Sequence, residues 1–400
     1  MAAALLWSGP VRADKAFLAW TEQLWPEAQA KGVTRPVFDE AFRGIEPDLS
    51  LPDLVLPGRE KDVKGQAEFT RTPQEYLNKI ALARLTGKGK ALAVEHAAVL
   101  GDIARRLGVE AHIILAVWGR ETAYGSYKLP NNIIRVLATQ AYLGRRKEMF
   151  RTELIYALKM LQDGFLTRET MHSSWAGAMG LAQFMPSEYY MYAYDTDNDG
   201  RKDIWGSVAD ALGSAANQLK HKGWVTGRTW GYEVTLGPSV DCSAESQTQA
   251  RPIAEWIGLG VARTQGRSFR PEQHDYAAYL LMPAGAYGPA FLVLENFLVL
   301  KRYNPSDLYA LFVGHLADRI AGEGDFQTPW APVTQLPAAD IEDIQRRLQE
   351  QGRPMGKIDG KAGNVTRAQT GVYQKAKGLD VNCWPSQRIL QHLRAAAVKQ

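Results

Sequence analysis

Apolar residues recur at helical spacing through the first half of the chain, from about residue 14 to about residue 223. Phe17, Trp20 and Leu24 form one such stripe near the start. Side chains three or four positions apart share one face of a helix, so this spacing predicts amphipathic helices. The first half of the chain is therefore predicted to be α-helical.

Beyond residue 223 the period changes. Tyr232-Glu233-Val234-Thr235-Leu236 and the segment 276–281 are strand-like, and Gly, Pro and Ser residues separate them. Short apolar runs bounded by turn residues are typical of strands in a sheet. We therefore predict a small β-rich insertion at about residues 230–282.

The last part of the chain divides at a proline-bearing stretch. Helical spacing returns over residues 289–320, and Pro329 and Pro332 follow it. Proline interrupts helices and strands alike, so residues 326–337 are predicted to form a linker. Residues 338–400 are expected to fold as a separate helical unit.

Composition is typical of a chain with more than one domain. Four hundred residues with 46% hydrophobic content exceed what one core usually holds. The 47 Lys and Arg residues are scattered among 43 Asp and Glu residues, so no nucleic-acid partner is expected. Because no segment approaches the ~20 consecutive apolar residues that span a bilayer, no transmembrane segment is predicted.

The start of the chain is similar to the end of a secretory signal. An apolar stretch is followed by Val11-Arg12-Ala13, which suits cleavage before Asp14, although the basic beginning of a signal is missing. We interpret residues 1–13 as a signal-peptide remnant and expect an exported, soluble protein of the periplasm. Cys242 and Cys383 are too few for a disulfide framework, and whether they pair stays open at this point.

Glu121 lies on the apolar face of a predicted helix. Ile114, Val117 and Trp118 precede it by seven, four and three positions, which places the four side chains on one face. Partial removal of a carboxyl group from water raises its pKa toward values suited to proton donation at neutral pH. Glu121 is therefore a candidate general acid, and the alternative is a structural glutamate paired with Arg120 or with another helix.

A second segment, from Ser173 to Ser187, combines small residues with a few polar groups. Two glycines and three alanines surround Ser174 and Gln183. Small residues let a ligand or another part of the backbone approach closely, so the segment is either the wall of a cleft or a tight packing contact. In the first case Ser174 and Gln183 are placed to hydrogen-bond an N-acetyl sugar.

Together these two segments resemble the soluble lytic transglycosylases of the membrane-bound-type B family, which have a lysozyme-like catalytic core. The run Arg302-Tyr303-Asn304-Pro305-Ser306-Asp307-Leu308-Tyr309 is similar to the family's third cleft segment. The resemblance implies an α+β, mainly α catalytic region over residues 14–325, with a helical N-terminal part and the β-rich insertion. It implies Glu121 as the catalytic residue, together with a set of substrate-contacting residues. These are Tyr76, Phe150, Ser174, Gln183, Phe184, Tyr303, Asn304 and Tyr309.

The reaction that the resemblance implies is cleavage of the β-1,4 bond between MurNAc and GlcNAc in peptidoglycan. Glycosidases usually place two carboxylates at the scissile bond, but the cleft motifs contain only Glu121. The same group would protonate the leaving oxygen and then accept the proton of the MurNAc C6 hydroxyl, which closes a 1,6-anhydro ring. No cofactor is required. A hydrolytic muramidase and a non-catalytic peptidoglycan-binding scaffold stay open as alternatives, and cell-wall synthesis proteins are further candidate partners.

The run Asp195-Thr196-Asp197-Asn198-Asp199-Gly200 resembles the start of an EF-hand loop, with three acidic ligands followed by the turn glycine. The usual final glutamate is replaced by Gly206, so Asp203 or Asp210 would have to complete a structural calcium site. The alternative is an acidic turn in which Ser207 and Asp210 form a capping box for the next helix.

The end of the chain, residues 338–400, resembles the three-helix peptidoglycan-binding type 1 domain. The resemblance rests on Ile344-Gln345-Arg346-Arg347-Leu348, Lys357-Ile358-Asp359-Gly360, Tyr373-Gln374 and Gly378-Leu379. Such a module would raise the effective concentration of the catalytic cleft near the cell wall rather than add chemistry. The alternative is a plain helical hairpin.

Overall fold

The computed structural model describes residues 15–56 and 70–397. Two compact units can be distinguished: the first combines the described residues before position 65 with residues 121–214, and the second contains the rest. The predicted fold class, mainly α with a small β-rich part, is confirmed. The predicted signal-peptide remnant, residues 1–13, lies outside the described residues. None of the described helices has the length and apolar character needed to cross a membrane.

Helices dominate the first unit. Their bounds are Lys15–Glu22, Trp25–Ala30, Arg35–Phe42, Ile133–Leu143, Lys147–Gln162 and Pro186–Tyr192. Helix Lys147–Gln162 packs against Ile133–Leu143 and buries side chains such as Leu154 completely. Helix Ile133–Leu143 begins after Asn132, whose side chain accepts a hydrogen bond from the backbone N–H of Arg135 and caps the first turn.

The second unit combines helices with a sheet. Its helices are Pro73–Tyr76, Lys79–Glu95, Ala97–Leu107, Ile253–Gly258, Glu295–Tyr303, Asp307–Ile320, Ala338–Glu350, Asn364–Ala376 and Gln387–Ala397. Two further helices, Ala111–Thr122 and Val208–His221, contain residues of both units. Helix Asp307–Ile320 is the most buried of the second unit because Lys79–Glu95 and Glu295–Tyr303 both pack against it.

The sheet is antiparallel throughout, with an apolar core on its face. In spatial order its strands are Arg251–Pro252, Ala277–Leu281, Ala290–Val293, Gly231–Thr235 and Ala262–Arg263. Ile253 and Trp256 from the neighbouring helix are fully or nearly fully buried in this core. The strands near residues 232–236 and 276–281 therefore form where the sequence predicts them.

One strand contradicts the sequence prediction. Ala290–Val293, predicted as part of a helical stretch, is the central strand of the sheet, and the helix begins only at Glu295. All four strand residues are buried. A central strand covered on both faces is a continuous apolar run without alternation, so its sequence pattern does not distinguish it from a buried helix.

The final part of the chain forms the three predicted helices, which we call the tail (residues 338–397). Ile341, Ile344 and Leu390 are fully buried in their shared core. Gln345, which is 1% exposed, fixes the loop between the first two helices: its Oε1 accepts hydrogen bonds from the backbone N–H groups of Asp359 and Gly360, both at 3.0 Å. The polar core residue therefore defines the loop conformation.

The tail is attached firmly to the sheet. Cys242 and Cys383, 141 positions apart, form a disulfide. Beside it, the buried Arg367 guanidinium donates to the fully buried Glu245 carboxylate, with an Nε to Oε2 distance of 3.0 Å. Arg367 also lies 3.3 Å from a carboxylate oxygen of Asp307. The tail is therefore joined to the rest of the second unit by a covalent bond and by buried ion pairs.

The linker itself is also docked. In residues 326–337 the backbone N–H of Ala331 donates to the carbonyl oxygen of Tyr287 at 2.7 Å. Further along, the Thr334 carbonyl accepts the indole N–H of Trp384 at 3.0 Å. These contacts hold an irregular segment in place without helix or strand.

Candidate active site

Glu121 is the penultimate residue of helix Ala111–Thr122, and its side chain is half-buried. Ile114, Val117 and Trp118, on its predicted face, are only 0%, 0% and 6% exposed. The apolar stripe is therefore part of the core and reaches Glu121 at the helix end. A half-buried carboxyl group keeps access to a bound substrate, which proton transfer requires.

The backbone turns sharply directly after this glutamate. Ala123, Tyr124 and Gly125 have φ angles of 48°, 59° and 73°, in the left-handed region that only glycine adopts without strain. The Thr122 hydroxyl fixes the turn by accepting a hydrogen bond from the Gly125 backbone N–H at 3.0 Å. Non-glycine residues persist in this region where the surrounding structure imposes it, often at functional sites. No sequence signal predicted this turn.

Thr122 also links the glutamate helix to the second candidate segment. Its hydroxyl donates to the carbonyl oxygen of Leu181 at 3.1 Å, and its side chain is buried. The structure therefore fixes the end of the Glu121 helix against the segment that contains Ser174 and Gln183.

Ser174 organises a tight turn. Its Oγ accepts hydrogen bonds from the backbone N–H groups of Ala176 and Ala178 at 3.3 and 3.2 Å, while its own N–H donates to the Ala178 carbonyl at 2.9 Å. These two N–H groups occupy the acceptor positions of the hydroxyl. A ligand would therefore meet Ser174 as a hydrogen-bond donor.

Gln183 lies in a short loop closed by two hydrogen bonds between the backbones of Met179 and Phe184, at 2.8 and 3.0 Å. Its φ of 56° is left-handed, and its Nε2 donates to the Gly180 carbonyl at 3.0 Å. Within the described part of the chain this leaves the Oε1 atom to accept a hydrogen bond from a ligand.

The glycines of this segment are explained by close packing. A Cβ on Gly177 would overlap Leu137, and one on Gly180 would lie 2.7 Å from the Ile204 carbonyl oxygen. Both glycines also have positive φ angles, of 86° and 65°. Of the two interpretations of the small residues, tight packing therefore accounts for the glycines.

Two aromatic residues predicted to contact substrate lie in the core instead. Phe150 and Phe184 have no exposed surface. The Arg146 guanidinium covers the Phe150 ring at 5.0 Å from its centre. A side chain without exposed surface cannot lie against a glycan in this conformation, so the structure contradicts these two predictions.

In the second unit, an aromatic cluster surrounds Arg120. Its Nε donates to the Tyr76 hydroxyl at 3.1 Å, and its guanidinium lies 5.0, 5.9 and 5.2 Å from the ring centres of Tyr76, Tyr309 and Phe312. Such cation–π contacts fix the arginine and the rings together. Tyr76 and Tyr309 are 6% and 2% exposed, so each offers only a small edge to a ligand.

Tyr303 and Asn304 end the helix Glu295–Tyr303 and are half-buried. The Tyr303 ring stacks on Tyr309, with centres 6.3 Å apart and planes 10° from parallel. Asn304 Oδ1 accepts the backbone N–H of Ser306 at 3.2 Å. Of the predicted contact residues in this unit, these two present the most accessible polar surface.

Four aspartates converge in the first unit. Ligand atoms of Asp195, Asp197, Asp199 and Asp210 all lie within 4.8 Å of one another. Asp203, the other candidate from the sequence, is not in this group, and its Oδ1 accepts the backbone N–H groups of Trp205 and Gly206. The two Asp210 oxygens also accept backbone N–H groups, those of Thr196 and Asp203, at 2.8 Å each. The converging groups are therefore the three predicted aspartates and Asp210.

Asp210 is the most buried of the four, at 1% exposure. Burial raises the pKa of Asp210, and the negative charges of Asp197 and Asp195 raise it further. Asp195 Oδ1 is also buried without a hydrogen-bond partner among the described residues. Carboxylates arranged in this way suit a hard cation such as Ca²⁺.

Sequence reasoning missed another buried carboxyl group of the first unit, Glu153. Its two oxygens accept the Ser187 backbone N–H at 2.9 Å and the Ser187 hydroxyl at 2.7 Å. It thereby caps the helix Pro186–Tyr192, and burial raises its pKa. Both oxygens serve this cap, so Glu153 has a structural role.

Comparison with known proteins gives a family match over most of the chain. The model of the Transglycosylase SLT domain family matches residues 16–318. The "Membrane-bound lytic murein transglycosylase B" of Escherichia coli (strain K12) is 33% identical over 219 residues, which is 54% of this chain. The chain spans 58% of the length of that relative.

Solved structures are similar over nearly the whole chain. SltB3 from Pseudomonas aeruginosa in complex with NAG-NAM-pentapeptide is 39% identical with a TM-score of 0.84, and covers 95% of this chain and 100% of its own. The same protein in complex with NAG-anhNAM-pentapeptide matches with 38% identity, a TM-score of 0.83 and the same two coverages.

Proposed function

Because this chain belongs to the Transglycosylase SLT domain family, we propose that it is a lytic transglycosylase that cleaves the β-1,4 bond between MurNAc and GlcNAc of peptidoglycan. The observation that carries the proposal is the position of Glu121, half-buried at the end of an apolar stripe and followed by a strained turn. The similarity of this chain to SltB3, a protein whose structure was solved with NAG-NAM-pentapeptide, supports the substrate class.

In the proposed reaction Glu121 acts twice. Its protonated carboxyl group donates to the glycosidic oxygen, and the C1–O bond to the leaving sugar breaks. The resulting carboxylate then accepts the proton of the C6 hydroxyl of the same MurNAc, whose oxygen attacks C1. Because the nucleophile belongs to the substrate, this step is unimolecular and is accelerated when the bound sugar is already oriented. No water is consumed, and Glu121 ends protonated again.

Ser174 and Gln183 are proposed to orient the sugar. Ser174 offers a hydroxyl donor and Gln183 an amide acceptor, which together match the carbonyl oxygen and N–H of an N-acetyl group. Their turns are fixed by backbone hydrogen bonds, so little freedom is lost when they bind. Tyr303 and Asn304 are proposed as further glycan contacts, with Tyr76 and Tyr309 contributing only their exposed edges.

Product analysis tests this proposal. Purified sacculi digested with the protein are expected to yield fragments with 1,6-anhydroMurNAc ends, detected by mass spectrometry as a mass about 18 Da, that of one water, below the reducing product. The complex of SltB3 with NAG-anhNAM-pentapeptide supports this expectation. A digest with reducing ends alone would instead identify a hydrolytic muramidase, and an absence of soluble fragments would identify a binding scaffold.

We propose that Asp195, Asp197, Asp199 and Asp210 hold a structural calcium ion. The ion would offset the mutual repulsion of four carboxylates and offer a partner to the buried Asp195 Oδ1. It would not take part in the reaction, which requires no cofactor.

Calcium is therefore expected to raise the midpoint of thermal unfolding. Relative to protein in a chelator, calcium at 100 times its Kd stabilises by about 2.7 kcal/mol, which corresponds to several degrees. Asp210→Asn should abolish the calcium response, measured by scanning calorimetry, whereas the control Asp203→Asn should keep it. An equal response in both variants would contradict this site.

The tail is proposed to bind peptidoglycan as a rigid extension of the second unit. Its disulfide and its buried ion pair with the sheet support a fixed orientation. The disulfide also fits the oxidising environment of the periplasm, the proposed location. Cell-wall synthesis proteins are proposed as additional partners.

A further inference from the structure

A cavity of about 370 Å³ opens beside strand Gly231–Thr235, within the second unit. Arginine side chains from several segments line it, together with aromatic rings and acidic groups. The arginines are Arg228, Arg263, Arg267 and Arg270. None of these residues belongs to the predicted catalytic or glycan-binding set.

Two of the arginines form no ion pair within hydrogen-bonding distance of an acidic side chain among the described residues, although both are held in place. The Arg228 guanidinium lies 4.1 Å from the centre of the Tyr276 ring, and Arg263 lies 4.7 Å from that of Tyr232. Within the part of the chain that the structure describes, Arg228 Nε is buried without a hydrogen-bond partner. A guanidinium stacked on a ring keeps its N–H groups in a fixed plane, ready for a flat anion.

The other two arginines are neutralised by neighbours. Arg267 pairs with Glu323 at 2.9 Å, and Arg270 pairs with Glu272 at 3.1 Å. Burial lowers the pKa of Arg263, the repulsion of Arg267 and Arg270 lowers it further, and the negative charge of Glu323 opposes this repulsion. A bound anion would relieve this repulsion.

The acidic groups of the cavity are also engaged. Glu233 accepts the backbone N–H groups of Gln327 and Thr328 at 2.8 and 2.7 Å. Asp318 accepts the Trp230 indole N–H at 2.9 Å, and burial raises the pKa of Asp318 to about 7. Near pH 7 Asp318 is therefore about half protonated and carries only part of a negative charge.

Asp325 completes the acidic groups that line the cavity. It forms an ion pair with Arg319, a residue that is not part of the lining. It also lies 3.8 Å from His315, but burial lowers the pKa of His315 to about 3, so the imidazole is neutral. The cations left for a ligand are therefore Arg228 and Arg263.

We propose that this cavity binds a carboxylate group of a peptide, with Arg228 and Arg263 as its guanidinium partners. Planar carboxylates accept paired hydrogen bonds from guanidinium groups. Phosphate has the same chemistry, but its second negative charge would be repelled by Glu233, whereas the N–H groups of a peptide would be attracted to it. If the proposed function holds, the peptide stems of peptidoglycan are the source of this ligand.

Binding of a free peptide tests this site without glycan cleavage. Isothermal titration would compare the pentapeptide of NAG-NAM-pentapeptide, the same peptide with its carboxylates converted to amides, and inorganic phosphate. We expect the acid form to bind one site per chain and the amide form to bind about tenfold more weakly or worse, since charged hydrogen bonds are lost. Phosphate that binds as tightly as the peptide would overturn the proposal.

Substitution of the two arginines tests whether the peptide binds in this cavity. Arg228→Gln and Arg263→Gln are each expected to weaken peptide binding about tenfold, whereas Arg105→Gln, on the exposed surface of helix Ala97–Leu107, should leave it unchanged. Arg228→Lys keeps the charge without the planar fork and should recover part of the affinity. Binding by both Gln variants equal to the unsubstituted protein, or no binding by that protein, would overturn the site.

A glycan-cleavage assay on the same protein variants distinguishes the peptide-binding cavity from the proposed lytic transglycosylase function. Since Arg228 and Arg263 lie outside the proposed catalytic set, both Gln variants should still release 1,6-anhydro products from peptide-free glycan strands. Loss of peptide binding with retained cleavage supports the cavity. Absent peptide binding with retained cleavage contradicts the cavity alone, and absent cleavage by the unsubstituted protein contradicts the proposed function alone.

Discussion

Replacing Glu121 with glutamine is expected to lower the rate of glycan cleavage by about 10²- to 10⁴-fold or more. Glutamine keeps the size and the hydrogen-bonding shape of the side chain but neither donates nor accepts a proton at neutral pH. In the proposed reaction one carboxyl group serves both chemical steps. The buried Glu153 is engaged in a helix cap, so it is not expected to replace Glu121.

Release of soluble fragments from purified sacculi measures this rate. Glu148→Gln, on the exposed surface of helix Lys147–Gln162, is a matched control that changes the same chemical group without touching the proposed site. Thermal unfolding of both variants should match that of the unsubstituted protein, because Glu121 is only half-buried. If Glu121→Gln releases soluble fragments at an undiminished rate, another residue must be the general acid.

Replacing Arg367 with glutamine is expected to destabilise the second unit by about 3–5 kcal/mol. The substitution leaves Glu245, which is fully buried, without its ion-pair partner. Burial raises the pKa of Glu245 to about 7 even though Arg367 lowers it in part. Without the arginine, the carboxyl group must be protonated or carry an uncompensated charge in the core.

The pH dependence of this loss follows from the raised pKa of Glu245. A carboxyl group whose pKa is higher in the folded than in the unfolded state stabilises the fold at low pH. This contribution is complete below the pKa of the unfolded state, and it is lost as pH rises through the pKa of the folded state. The Arg367→Gln variant should therefore be most impaired at pH 8 and should recover part of its stability near pH 5. Urea unfolding at the two pH values measures the difference.

Two further variants serve as controls for the stability loss expected of Arg367→Gln. Arg346→Gln removes an exposed ion pair with Glu342, at 3.7 Å, and should change the unfolding free energy by less than about 1 kcal/mol. The double variant Arg367→Met/Glu245→Leu replaces the buried pair by apolar groups and should regain most of the stability. If Arg367→Gln is no less stable than Arg346→Gln, the buried pair does not hold the tail.

Local periodicity was sufficient for much of the fold. The stripe of Ile114, Val117 and Trp118 is buried as predicted because helix spacing alone determines which side chains share a face. The strand Ala290–Val293 was missed for the opposite reason. Its residues are buried on both faces, and only its neighbours in the sheet distinguish it from a helix.

The site was predictable to the extent that it depends on single segments. Glu121, Ser174 and Gln183 could be selected from short motifs, but the burial of Phe150 and Phe184 depends on packing between distant segments. Spacing alone does not reveal whether an aromatic side chain faces the core or a ligand.

Long-range pairs were the least predictable. The contacts of Arg120 with Tyr76 and of Arg367 with Glu245 join segments 44 and 122 positions apart. Asp210 was one of two candidates for completing the aspartate cluster, and the choice required the turn that directs Asp203 elsewhere. Charge patterns along a sequence do not specify such pairs.

The disulfide between Cys242 and Cys383 encloses the linker, residues 326–337, within its loop. A protease that cuts the linker therefore breaks the chain without releasing the tail, since the two fragments stay covalently joined. The nicked protein keeps its apparent mass under non-reducing conditions and separates only after reduction. In a compartment rich in proteases, the cross-link makes the least regular segment of the second unit tolerant of cleavage.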